Sequence, residues 1–273
     1  MSITWAAGMH APLGRHVDAS AYANYIGRWS RLFVPTLLAA ADVKRGDRVL
    51  DVATGTGEAA QLTLSQVGDA GLVVGADISP AMLDEACARL SSARFLPVVA
   101  DGQVLVFPSA TFDAVLCQLG LMFFPDPSRG LAEFRRVLRP GRRAAVCVIS
   151  VPERVPMWGI LADTLSAHLP DQAKALHLSF SLADPSQLER LFASAGFSDV
   201  CVTREMHEGT FESFDEYWAP IEMGTGQMPQ AYLSLSEPSR HAVRAAVRAR
   251  LAPFESNGRL LMSAEMLIGS GRA

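Results

Sequence analysis

A short apolar run that breaks into two glycines, Arg48-Val49-Leu50-Asp51-Val52-Ala53-Thr54-Gly55-Thr56-Gly57, constrains this chain more than any other stretch. Val49, Leu50 and Val52 supply the apolar side chains of a buried strand. Gly55 and Gly57 then remove the side chains that would hold a ligand away from the backbone. Residues Glu58 to Val67 are helix-compatible, so the turn aims the positive end of a helix at that place. The next strand, Leu72 to Ala76, is closed by Asp77, twenty residues beyond Gly57. A carboxylate at that offset can accept both ribose hydroxyls of a nucleoside.

Two nucleoside ligands fit that much. Gly55-x-Gly57-x-x-Ala60 passes the looser dinucleotide fingerprint, in which alanine replaces the third glycine. Asp51 favours the other ligand. It precedes the glycines as Asp-x-x-x-Gly-x-Gly, where a carboxylate can receive an ammonium group; beside a pyrophosphate the same charge would repel. The series resembles motif I of the class I S-adenosylmethionine-dependent methyltransferases. That resemblance implies an α/β, Rossmann-like fold with a seven-stranded, mostly parallel sheet, its last strand antiparallel, plus an N-terminal helical lid and helical insertions. It also implies S-adenosyl-L-methionine as cofactor and S-adenosyl-L-homocysteine as product.

Residues 46–150 alternate strand and helix, which predicts a parallel sheet with right-handed crossovers. Ser79-Pro80 starts a helix by cap and first-turn proline, with Met82, Leu83, Ala86 and Leu90 as its inward stripe. A third strand, Phe95 to Ala100, ends at Asp101-Gly102-Gln103, and a fourth runs from Phe112 to Gln118. Asp126-Pro127 opens a further helix carrying Leu131, Phe134, Val137 and Leu138 on one face; it ends at Arg139-Pro140-Gly141, and Ala144 to Ile149 is a fifth strand.

The same family resemblance extends over these motifs. It implies that the cofactor meets Asp51, Ala53, Thr54, Gly55, Thr56 and Gly57 in the turn, Asp77, Ile78 and Met82 after the second strand, and Asp101, Gly102, Gln103 and Gln118 further on. Asp77 would take the ribose and Asp101 the adenine amino group, while Gly55 and Gly57 let the methionine end approach. Gly102-Gln103 and Val104-Leu105 depart from the family's usual Ala-Glu pair and apolar-Pro turn, and Arg142 replaces a glycine, read as a surface change of little consequence.

Residues 1–45 are unusually aromatic, with Trp5, Tyr22, Tyr25, Trp29 and Phe33. Ser20 to Ala41 has helical spacing, and Pro35 is the point at which it can divide into two helices. Two readings stand: an amphipathic helix packed on the domain, or a lid over cofactor and acceptor. Family resemblance favours the lid and makes Tyr22, Tyr25, Arg28 and Trp29 candidates. Residues 151–273 read as helical insertions and C-terminal strands that complete the same domain. Met157, Trp158, Leu161 and Leu165 form one stripe, Leu188, Leu191 and Phe192 another, and Phe197 to Phe211 is a sixth strand. Ser213 to Arg250 is helical with a break at Gly224–Pro229, and Leu260 to Ile268 is a seventh strand, antiparallel beside its neighbour.

Composition narrows the function. A net charge of −4 offers no overall attraction to nucleic acid or an anionic membrane. Cys87, Cys117, Cys147 and Cys201 are scattered and read as buried free thiols, neither a disulfide framework nor a metal site. No apolar run reaches the roughly 18 residues of a membrane span, and no secretory signal is apparent, which makes the cytoplasm the expected compartment. The loop Gln118 to Phe124 has no carboxylate, so a metal-dependent catechol-type enzyme is disfavoured. Methyl transfer from a sulfonium is an in-line displacement that chiefly needs an aligned acceptor. Met122, Phe123 and the lid aromatics point to a hydrophobic, aromatic or prenylated small molecule, and the whole pattern looks like the UbiE-type methyltransferases of quinone precursors. Among the six histidines, His10 and His16 lie in the presumed lid; no base is assigned. The expected assembly is a monomer or homodimer. The alternatives are a non-catalytic subunit of the same fold and, further off, an NAD(P)-dependent oxidoreductase.

Overall fold

The computed structural model describes residues 26–224 and 226–273. Tyr22, Tyr25, Trp5, His10 and His16 lie outside the described residues. Val49 and Leu50 are buried in β1 (Arg48–Val52), which pairs in parallel with β2 (Leu72–Asp77) on one side and β4 (Phe112–Gln118) on the other. The sheet order is β3-β2-β1-β4-β5-β8-β6, with β3 at Phe95–Val99, β5 at Leu138–Ile149, β6 at Ser198–Phe211 and β8 at Arg259–Arg272. Strands β1 to β5 pair in parallel, whereas β8 is antiparallel to both β5 and β6. The chain therefore winds outward from β1 in one direction and from β4 in the other. Between those two strands the crossovers part, and a crevice opens at the carboxyl ends.

The mostly parallel sheet with an antiparallel last long strand matches the expectation, but the sheet has eight strands where seven were read. The eighth, β7 (Glu255–Ser256), is a two-residue arm folded on β8 by Asn257-Gly258, whose φ angles are 52° and 79°. Asn-Gly at a two-residue hairpin is the signal for a type I′ turn.

Helix α1 (Arg28–Ala40) buries Trp29, Phe33, Val34, Leu37 and Leu38 against β5, β8 and α2 (Glu58–Val67). Its described part is core packing. Pro35 does not divide it, because that residue is exposed and the carbonyl it leaves without a helical partner can meet water. Helix α3 (Pro80–Leu90) begins as read: Ser79 Oγ accepts the Met82 N–H. Helix α4 (Pro127–Val137) begins in the same way, with the Asp126 carboxylate accepting the Arg129 N–H at 3.1 Å. It ends at Val137, earlier than read. Leu138 already pairs with Phe112 as the first residue of β5, and Pro140 pushes Arg139 out of helical geometry.

Arg142 is more than a surface replacement. It donates to Asp47 at 2.7 Å and to Asp113 at 2.9 Å, and Asp113 also accepts the Arg48 N–H at 2.9 Å. One guanidinium thus ties the starts of β1, β4 and β5. The thiols differ from expectation as well: Cys117 and Cys147 are buried, whereas Cys87 and Cys201 are exposed on an outer helix face and an edge strand, and all four are free.

Beyond β5 come α5 (Pro156–His168), α6 (Ala173–Leu176) and α7 (Pro185–Ser194), and then, after β6, α8 (Phe214–Glu222), α9 (Gln227–Leu233) and α10 (Glu237–Leu251). The break in the last helical stretch is followed by a second one at 234–236. Strand β8 shows the expected alternation only at its start. From Ala264 to Gly271 it is buried throughout, because β5 and β6 flank it while α1 and α7 pack over it.

Gly209 on β6 marks the tightest fit beneath α1: a Cβ there would stand 2.2 Å from the Trp29 ring. Gly209→Ala is expected to cost about 1–3 kcal/mol through overpacking. Urea unfolding should show a lower midpoint with an unchanged slope, while Leu261→Ala, at a half-exposed position of the neighbouring strand, should stay within about 0.5 kcal/mol of wild type.

Candidate active site

The turn after β1 is built from strained and permissive residues in alternation: Ala53, Gly55 and Gly57 have φ of 56°, 55° and 87°. The two glycines serve different ends. A Cβ on Gly55 would meet nothing within 4 Å, so open space faces the turn at that point. A Cβ on Gly57 would press on Leu90 at 3.0 Å and on Ala86, so Gly57 lets α3 pack against the start of α2. Of the two, only Gly55 has open space in front of it.

Three carboxylates surround this turn. Asp51 is fully buried at the end of β1; its Oδ2 accepts the Thr54 hydroxyl at 2.7 Å, while Oδ1 has no hydrogen-bond partner among the described residues. Burial pushes its carboxyl from the ordinary 3.8 up to about 7; the Thr54 bond works against that rise, and the charges of Asp77 and Glu58 add to it. Asp77 accepts the Gly55 N–H through Oδ2 and the Ser79 N–H through Oδ1, each at 2.9 Å. Burial raises its pKa too, opposed by those backbone bonds. Glu58, buried at the start of α2, accepts from the Thr56 hydroxyl at 2.7 Å and from Arg89, which also donates to the Thr56 carbonyl.

Glu58 and Arg89 were missed from the sequence. Glu58 reads there as an ordinary first-turn acid, and nothing in the spacing links it to Arg89. A Cβ on Gly27 would fall 2.6 Å from Glu58, so the start of α1 closes directly on the turn. A site ringed by Asp51, Glu58 and Asp77 suits a cation and opposes a pyrophosphate.

The other anticipated residues divide. Ile78 and Met82 are half-buried beside Asp77. Asp101 is half-buried and accepts both the backbone and side-chain N–H groups of Gln103. Gln103 itself is buried, and its Oε1 accepts the Asp126 N–H at 2.9 Å, so it couples the loop after β3 to the start of α4. Gly102 has no room for a side chain because the Phe124 ring occupies it, at 2.4 Å from a Cβ. Gln118, ending β4, donates to the Ser30 carbonyl of α1 at 2.7 Å, and its Oε1 is buried without a partner. Beyond it, Leu119 adopts φ 53°, and Gly120 sits so close to Ala53 that a Cβ would come within 2.5 Å. The ends of β1 and β4 are thereby locked together.

Next to Gln118 lies an apolar pocket walled by Ile26, Leu119, Met122, Phe123, Ile149, Trp158, Leu161, Met228 and Pro229, with Ser179 and Gln227 as polar members. No acid, histidine, lysine or arginine is among the described lining residues. Met122 and Phe123 are thus brought to it. Trp29 is not: it is buried against Phe211, with ring centroids 5.8 Å apart. His177 pairs with Asp163 and His207 with Glu205, both away from the pocket lining. No group of three or more metal-ligating side chains occurs among the described residues. No described helix is long and apolar enough to cross a membrane.

This fold and its carboxylate-ringed turn define a nucleoside-binding α/β protein built for a cationic ligand. A family described as a methyltransferase domain matches residues 49–141. The demethylmenaquinone methyltransferase of Corynebacterium kroppenstedtii is 37% identical over 172 residues, covering 58% of this chain and 71% of that one. The ubiquinone/menaquinone biosynthesis C-methyltransferase UbiE of Teredinibacter turnerae is 40% identical over 127 residues, 45% of this chain and 51% of that one. Phosphoethanolamine N-methyltransferase 2 of Haemonchus contortus, solved with S-adenosyl-L-methionine, superposes with a TM-score of 0.62 at 17% identity, over 99% of this chain and 60% of that one; at that identity it speaks for the fold alone. The chain belongs to the class I S-adenosylmethionine-dependent methyltransferases, in their UbiE-like group.

Asp51 has a consequence for stability. Its folded pKa is raised, so the unfolded chain gives up this proton more readily. The stabilisation is therefore complete below about 3.8 and is lost as pH rises through about 7. Asp51→Asn should flatten that decline when urea unfolding of the cofactor-free protein is followed across this range. Parallel pH profiles for variant and wild type would contradict it.

Proposed function

We propose that this enzyme methylates a hydroxylated aromatic small molecule of the quinol type, at ring carbon, with S-adenosylmethionine as donor. The observation that carries the reading is the pocket beside a turn ringed by carboxylates, apolar and without charged side chains among its described lining. The names of the relatives support a quinone-related acceptor. When bound, S-adenosylmethionine supplies an electrophilic methyl group on a sulfonium.

The chain's own residues do the rest. Asp51 Oδ1, buried and lacking a partner, receives the ammonium of the methionine end, and the open space at Gly55 admits that end against the backbone. Asp77 offers its remaining lone pairs to the ribose, since each oxygen already holds one backbone N–H. Asp101 takes the adenine amino group. The negative charge of Asp51 and Asp77, which no cation offsets among the described residues, favours a positively charged donor over its neutral product. The pocket walls exclude water and hold the acceptor in line with the methyl group. No described lining side chain removes a proton, so the acceptor meets the donor as its own anion or gives its proton to solvent.

The test is calorimetric titration with S-adenosylmethionine, S-adenosylhomocysteine and NADH in parallel. Both sulfur ligands should bind and NADH should not. Affinity for S-adenosylmethionine should rise as pH increases towards about 7, where Asp51 ionises. Asp51→Asn should weaken it about tenfold or more and remove that pH dependence. Binding of NADH alone would overturn the reading. With a dihydroxynaphthalene as acceptor, mass spectrometry should show the gain of one methyl group.

A further inference from the structure

We propose that Trp158 orients the acceptor, its indole Nε1–H donating a hydrogen bond to an oxygen on the acceptor ring. This rests on the aromatic acceptor proposed above and adds the residue that selects and aligns it.

Trp158 stands in the first turn of α5, is 3% exposed and forms part of the pocket wall. Its Nε1 is buried and has no acceptor among the described residues. An indole nitrogen is a donor only, so nothing but an acceptor atom can satisfy it, and buried donors are seldom left unpaired. Every carbon-rich neighbour in the wall is useless for this purpose. Of the other polar members, the Gln227 amide already donates to the Ala175 carbonyl at 3.1 Å.

Burial alone does not single out Trp158. Trp29 Nε1 is equally unpartnered, but that ring is wedged over Gly209 and Phe211 in the core and lines no pocket. What distinguishes Trp158 is the combination of an unsatisfied donor and a place on the pocket wall.

The backbone that carries the ring is also held still, as an orienting residue requires. The Trp158 N–H bonds to the Val155 carbonyl at 3.0 Å, and Tyr217 Oη donates to the carbonyl of the preceding residue, Met157, at 2.7 Å. On the other side, Gly159 lies so close to the Pro152 carbonyl that a Cβ would come within 2.4 Å. The backbone of the first turn of α5 is thus clamped before and after Trp158. A donor fixed in this way strengthens its bond as the acceptor oxygen gains negative charge. It therefore favours the ionised form of a ring hydroxyl in a pocket whose described lining supplies no cation, the proton having left to solvent. A ring without oxygen would leave the donor unpaired and bind less well.

The test compares a naphthol with naphthalene, both titrated into the full-length protein in the presence of S-adenosylhomocysteine. Wild type should prefer the naphthol by about tenfold, and Trp158→Phe should lose that preference while keeping its affinity for S-adenosylhomocysteine. Heteronuclear NMR of the nitrogen-labelled wild type provides a second reading that needs no variant. One of the four indole N–H resonances should move downfield with the naphthol and stay in place with naphthalene. Retained preference for the naphthol in Trp158→Phe, equal loss of both compounds and of S-adenosylhomocysteine, or no indole shift with the naphthol would each overturn the inference. Equal binding of the two compounds by wild type would overturn it while leaving the proposed function standing. Binding of neither would overturn both.

Discussion

The carboxylate of Asp77 accepts one backbone N–H from Gly55 and one from Ser79, and the turn after β1 and the helix start after β2 share this single anchor. Burial makes the bond pair obligatory: an ionised carboxylate this far from water is tolerable only with donors on it. The crevice between β1 and β4 owes its shape to that exchange. Ala53 and Leu119, both held at positive φ, bring the two strand ends together at Gly120, and the position of each depends on a turn that Asp77 keeps in place. The strain is local and small against the burial of the sheet beneath it.

Charge then decides what the crevice can hold. The usual nucleotide site at a glycine turn uses helix dipole and backbone N–H groups to attract phosphate. Here Asp51 and Glu58 stand beside Asp77, and of the three only Glu58 is paired with a cation among the described residues, Arg89. The excess negative charge outweighs the dipole, which amounts to about half an elementary charge at the helix N-terminus. A cationic nucleoside is the ligand that relieves this repulsion. The neighbouring pocket has the opposite character, apolar and free of charged side chains among its described walls.

Much of this was legible in the chain. The strand–turn–strand unit from Arg48 to Asp77, both proline-led helix starts at Ser79 and Asp126, and the buried stripe at Met157, Trp158, Leu161 and Leu165 are local patterns with local causes. Asn257-Gly258 is an equally local signal for β7, though the strand read there began only at Leu260. Other features had no local signature. Arg142 looks like any exposed turn residue until Asp47 and Asp113 meet it from positions 95 and 29 residues away. Gly57 and Gly102 look like ligand glycines until Leu90 and Phe124 occupy the space in front of them. Trp29 has the spacing of a lid residue as well as of a core residue, and only the approach of Gly209 selects the core.

What the sequence determined by itself was the fold class, the place of the glycine turn and two of its three carboxylates, Asp51 and Asp77. Periodicity, caps and glycine spacing act within a few residues of one another, and they survive without knowledge of the rest. Only the tertiary structure decided which side chains face the crevice, which glycines leave open space and which serve packing, and which residues wall the apolar pocket. Those depend on contacts between segments far apart in the chain, where the free volume left by one element is set by the side chains of another.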